Sequence, residues 1–109
     1  MSDDVQSIRI LNDLFRKGLA NGRMMMTRGV AERPAEQVRE IMQRVVQFDS
    51  FSDANDPYHE HDYGSFDFGS DRILWKIDYY DAELKYGSED PADPAKTTRV
   101  LTVMLAEEY

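Results

Sequence analysis

No cysteine occurs in the 109 residues, which excludes disulfides, thiolate metal ligands and cysteine nucleophiles. Such a chain suits a reducing compartment, and a cytoplasmic protein is the expectation. Long hydrophobic runs are missing too. None exceeds five residues, against the roughly 18 that span a bilayer. The opening MSDDVQ is acidic where a secretory signal would be basic. Hydrophobic residues at 41% and charged residues at 31% mark a globular chain rather than a disordered one. Its length is that of one domain, residues 1–109.

Positive charge is scarce in one half. Residues 1–50 hold eight Lys/Arg against seven Asp/Glu, whereas residues 51–109 hold five against fourteen, a net of −9. An acidic half repels phosphate backbones, so no direct nucleic-acid binding is expected. It attracts basic protein surfaces and speeds encounter with them. No membrane association is expected either.

Val5, Ile8, Leu11 and Phe15 lie at helical spacing, with Ser2 or Asp3 as cap and Asn21–Gly22 as stop. Arg23 to Val30, RMMMTRGV, reads as a strand. Its three methionines, Met24–Met26, suit a core or a homodimer interface equally. Pro34 opens a second helix whose stripe is Val38, Ile41, Met42 and Val45. A polar loop, DSFSDANDP, leads to a hairpin. Phe66 and Phe68 alternate with polar residues, Gly69-Ser70-Asp71 forms the turn, and Ile73, Trp75, Ile77 and Tyr79 share one face. Asp93-Pro94 suggests entry to a last helix carrying Val100, Leu101, Met104 and Leu105, although RVLTVML would also serve as a strand. The fold expectation is therefore α+β, in the order α-β-α-β-β-α, with an antiparallel sheet and helices packed on one face.

Chemistry has few footholds. His59 and His61 could share an ion with Asp62 or Asp56, since i and i+2 in extended chain face one side. No His-Glu-x-x-His or calcium-loop spacing supports that, and no metal or other cofactor is expected. His61 with Asp62 or Asp78 could form an acid–base pair. Ser65 and Ser70 lack a nucleophile-elbow setting, and YGSFDFG lacks the spacing and lysine of a phosphate loop. The partner-binding reading uses more of the chain. Asp62, Asp67, Asp71, Asp78 and Asp81 recur around the hairpin with Tyr63 and Tyr80 among them, and such residues can meet Arg or Lys across an interface.

Several blocks carry a family resemblance: NDPYHEHDYGSF, WKIDYYD and DPADPAKTTRVLTVMLAEEY, with TRGV and FDSF upstream. Together they resemble the bacterial domain-of-unknown-function 3768 family, from the first helix to the C-terminus. The family pattern Asn-Asp-Pro-Tyr-Gly-Glu-His-Asp-Phe-Gly matches Asn55, Asp56, Pro57, Tyr58, Glu60, His61, Asp62 and Gly64. It departs at His59, where glycine is usual, and at Tyr63, where phenylalanine is. The resemblance implies a small stand-alone protein of alphaproteobacteria and their mobile elements, and no catalytic residues. The resulting expectation is an acidic, protein-binding accessory factor. Its sharp form is an anti-CRISPR or antirestriction inhibitor that blocks a basic nucleic-acid-handling surface. A small histidine- or metal-dependent hydrolase centred on His61 and Asp62 is the alternative.

Overall fold

The computed structural model describes residues 3–109. Eight elements follow in order: α1 (Asp3–Arg16), β1 (Arg23–Met26), α2 (Arg28–Ala31), α3 (Ala35–Val46), β2 (Tyr63–Phe68), β3 (Asp71–Tyr80), β4 (Thr98–Leu105) and a 3-10 turn (Ala106–Glu108). The cap expected at Ser2 lies outside the described residues. α1 stops earlier than Asn21–Gly22 suggests. Gly18 takes φ +79, and the Leu19 and Gly18 N–H groups donate to Leu14 O and Phe15 O. That is the paired-bond stop in which a left-handed glycine satisfies the last carbonyls.

The hairpin forms where the alternation places it. Gly64, Phe66 and Phe68 face the side shared by Ile73, Trp75, Ile77 and Tyr79, and Gly69 turns the chain at φ +62. α3 buries Ile41 and Val45 from its expected stripe. Residues from all three helices, Phe15, Val30, Ile41 and Val45, join one core with Phe66, Ile73, Trp75, Ile77, Leu101 and Val103 of the sheet. The helices therefore supply one face only.

Three expectations are corrected. Thr98–Leu105 is a strand, not a helix. Asp93-Pro94 makes only a turn, in which Asp93 Oδ1 accepts from the Ala95 N–H at 2.9 Å. Thr98, Val100, Thr102 and Val103 favour extended chain, and β4 is held between β3 and β1. Both of its faces carry buried residues, so its apolar run lacks the clean alternation of an exposed strand. The sheet is also mixed rather than antiparallel. Its order is β1-β4-β3-β2, with β1 parallel to β4 and the other pairs antiparallel. The strand expected over Arg23–Val30 ends at Met26, and Thr27 leads into the short α2. Among the described residues no helix is long and apolar enough to cross a membrane.

Candidate site around the Asn55–Asp62 loop

The loop between α3 and β2 is stitched by its own side chains. Asn55 Oδ1 accepts from the Ser52 N–H at 2.8 Å, and Asn55 Nδ2 donates to Ser50 O at 2.9 Å. Asp56, which is buried, accepts from the His61 N–H at 3.1 Å. This bond closes a tight turn in which His59 and His61 adopt φ +60 and +55. Glycine takes such values without steric cost, whereas a histidine at either position is in a region that side chains disfavour.

His61 is the hinge between loop and helix. Its Nδ1 lies 2.9 Å from Asp13 Oδ1 on α1, its Nε2 lies 3.6 Å from Asp56 Oδ2, and its ring stacks on Phe51 at 3.7 Å and 4°. Phe51 meets Trp75 edge-on, and the Arg16 guanidinium sits 5.0 Å from the Trp75 ring and 5.6 Å from that of Phe51. Arg16 is buried, and burial depresses its pKa. It donates from Nη1 to Val45 O (2.7 Å) and Val46 O (3.0 Å), carbonyls at the C-terminal end of α3.

A second network lies beside the first. Fully buried Asn12 donates from Nδ2 to Glu60 O (2.9 Å) and to the Tyr79 hydroxyl (2.7 Å), and accepts from Arg99 Nε (2.6 Å). The Tyr79 hydroxyl donates to Glu60 Oε1 at 2.7 Å. Burial, and then this bond to Glu60, raise the Tyr79 pKa far above the ordinary phenol range. Arg99 also donates to Pro91 O at 2.6 Å, and burial lowers its pKa. One loop, two strands, the 81–97 segment and α1 are thus joined through Asn12, Glu60, Tyr79 and Arg99.

The residues anticipated from sequence are scattered by this arrangement. His61 pairs with Asp13 and Asp56 rather than with Asp62 or Asp78. His59 is exposed, and among the described residues no three His or carboxylate side chains gather as ion ligands. Asp67 pairs with Arg72 (2.9 Å), Asp78 with Lys76 (2.6 Å) and Asp71 with Arg33. Asp81 Oδ1 accepts from the Glu83 and Lys85 N–H groups and shapes the turn after β3. Tyr63 and Tyr80 point to the helix-free face, across from which Lys76 and Thr98 stand in register. Asn12, Asp13, Arg16 and Arg99 were not anticipated. One signal was available: Arg99 shares the alternation of Leu101, Val103 and Leu105, so a strand at this position turns a charge toward the core.

Asp62 lies half-buried at the start of the hairpin, its carbonyl accepting the Ile77 N–H at 2.8 Å. Burial, then the nearby carboxylates of Glu60, Asp56 and Asp78, raise its pKa above 3.8. A raised folded value means that the stability it contributes is full below the unfolded value and is lost as pH rises through the folded one. Asp62→Asn is therefore expected to raise the melting temperature at pH 7 by about 2–4 °C, equivalent to about 0.5 kcal/mol in a domain of this size. Partial solvent screening keeps the effect small. The gain should vanish near about pH 3, where the wild-type carboxyl is neutral in both states. Melting curves at the two pH values check this, and an equal gain at both would refute the assignment.

The arrangement binds the loop to the body of the protein. The Nδ1 of His61 is within hydrogen-bond distance of Asp13, whereas its Nε2, 3.6 Å from Asp56 Oδ2, makes only a longer electrostatic contact. No curated protein and no solved structure matches the chain. A family model described as "Protein of unknown function (DUF3768)" matches residues 26–108. The match starts at the end of β1, not at the first helix, so Asn12, Asp13 and Arg16 stand before it. On that match, the chain belongs to the DUF3768 family.

Proposed function

We propose that the protein is a small acidic binding factor that covers a basic surface of another protein. The observation that carries this reading is topological. The 47–62 and 81–97 connections leave the sheet at one end, because β2 begins, β3 ends and β4 begins there. Together they hold ten Asp/Glu, of which only Asp56 is buried, against two Lys, Lys85 and Lys96. Asp62's raised pKa has the same origin in part, since neighbouring carboxylates oppose its ionisation. The acidic surface is thus one pole of the molecule rather than the hairpin strands, whose Asp67, Asp71 and Asp78 are paired within the chain.

A pole of this sign repels nucleic acid and is drawn to the cationic grooves of proteins that handle it. Occlusion of such a groove is how an anti-defence inhibitor would work, and that is the specific form of the proposal. Asp53, Glu83 and Glu89 are exposed and make suitable probes. The triple variant Asp53→Asn, Glu83→Gln, Glu89→Gln should bind about tenfold more weakly at low salt, the difference shrinking as salt rises. The test isolates a salt-sensitive partner from bacterial lysate, then follows that partner's affinity for labelled DNA by anisotropy. Wild type should displace the DNA and the triple variant should not. Equal displacement by both, or none by either, would sink the proposal.

A further inference from the structure

We propose that the chain pairs with a second copy of itself through the free edge of β1, joining two four-stranded sheets into one. β1 is an edge strand. The Thr27 N–H donates to Val103 O at 3.0 Å, in a register that sets Met26 beside Val103. This turns the backbone groups of Arg23, Met25 and Thr27 toward β4. Alternate residues of a strand bond to opposite sides, so those of Met24 and Met26 face outward, where no strand meets them among the described residues.

The two edges of the sheet differ. At β2, Arg44 Nη1 donates to Asp67 O at 2.6 Å, and the Asp67–Arg72 ion pair adds charge; such features discourage strand addition. β1 instead exposes Met24 at 49% and Met25 at 59%, on opposite faces. Large apolar side chains on an open edge are what a sheet ordinarily avoids unless the edge is covered.

Two-fold symmetry sets the register. An antiparallel pair that uses both outward methionines places Met24 of each copy opposite Met26 of the other as hydrogen-bonded pairs. Met25 then faces the second copy's Met25 across the axis, as a non-hydrogen-bonded pair. Arg23 falls opposite Thr27 of the second copy on the helix-free face. Thr27 Oγ1 lies 2.6 Å from Glu108 Oε1, and the Glu108 carboxylate also accepts from the Gly29 and Leu105 N–H groups at 2.9 Å. Glu108 is thus an exposed, fixed anion, while Arg23 has no carboxylate partner among the described residues. Arg23, Met25, Thr27 and Glu108 line one groove of about 870 Å³ on that face. Charge complementarity therefore selects a second copy: each Arg23 meets the other copy's Glu108, on either side of the Met25 contact.

The absence of native cysteine makes the test clean. Light scattering of the full chain should show twice the monomer mass at high micromolar concentration, and Arg23→Glu should shift the equilibrium toward monomer. Under mild oxidation, Met25→Cys should form a disulfide-linked dimer at least about tenfold faster than Met24→Cys, because only position 25 meets itself within disulfide reach. Circular dichroism of each variant confirms that it is folded. Monomer mass at every concentration, equal cross-linking at 24 and 25, or an Arg23→Glu equilibrium like that of wild type would overturn the proposal.

Discussion

Asn12→Ala is expected to destabilise the protein by about 2–4 kcal/mol, the cost of leaving buried polar and charged groups without partners. The residue is fully buried and holds three groups from elsewhere in the chain, Glu60 O, the Tyr79 hydroxyl and Arg99 Nε. Removing it leaves Tyr79 with Glu60 and Arg99 with Pro91, but Glu60 O loses a partner and Arg99 Nε loses one in a buried position. In a domain of this size the loss corresponds to a fall of about 10–25 °C in melting temperature. Asn12→Asp separates shape from charge. It keeps the size, and its carboxylate can accept from Arg99, yet it loses the amide donor and sets an anion against Glu60 O. It should also be destabilising. Urea melts of wild type and both variants measure this. A cost below about 0.5 kcal/mol for Asn12→Ala would fall within the range of ordinary surface substitutions, and the network would then not hold the loop.

The second large effect is expected at Gly64. A Cβ there would stand 2.5 Å from Trp75 Nε1, 2.7 Å from Trp75 Cε2 and 2.8 Å from Phe48 Cε1. Trp75 is fully buried and meets Phe48 edge-on, so the indole cannot give way without disturbing its neighbours. Overpacking of this kind costs about 1–3 kcal/mol, and Gly64→Ala belongs at the upper end because three ring atoms are met at once. Gly69→Ala is the control. Nothing lies within 4 Å of a Cβ there, and the residue takes φ +62, so only the left-handed backbone is penalised, at about 1–2 kcal/mol. Trp75 is the sole tryptophan, and its fluorescence reports the difference. Gly64→Ala should red-shift the emission of the folded protein, and Gly69→Ala should leave it unchanged. A shift in both, or in neither, would contradict the packing described.

The hairpin and α3 were legible because their signals are local. Period-two alternation through Phe66–Tyr79 and a helical stripe from Val38 to Val45 each report a face within a single element. The acidic bias of the second half was legible as well, since charge is a matter of composition. β4 was legible only as the alternative to a helix, because its extended conformation depends on lying between β1 and β3, and burial on both sides removes the alternation that marks a strand. The parallel register of β1 was hidden for the same reason, its partner lying some 77 positions away in the chain. His61 was singled out by residue type and Asp56 was named beside it, but Asp13 was not, and neither Asp62 nor Asp78 pairs with it. Asp13 lies 48 residues away, while Arg99 and Asn12 are separated by 87. Sequence by itself determined the α+β class, the hairpin, the cysteine-free interior and the acidic half. Tertiary structure alone decided that two acidic connections meet the sheet at one end, that His61 is held between two carboxylates, and that a methionine strand lies at an open edge. Side chains brought together by chain topology leave no periodic trace in the order of residues.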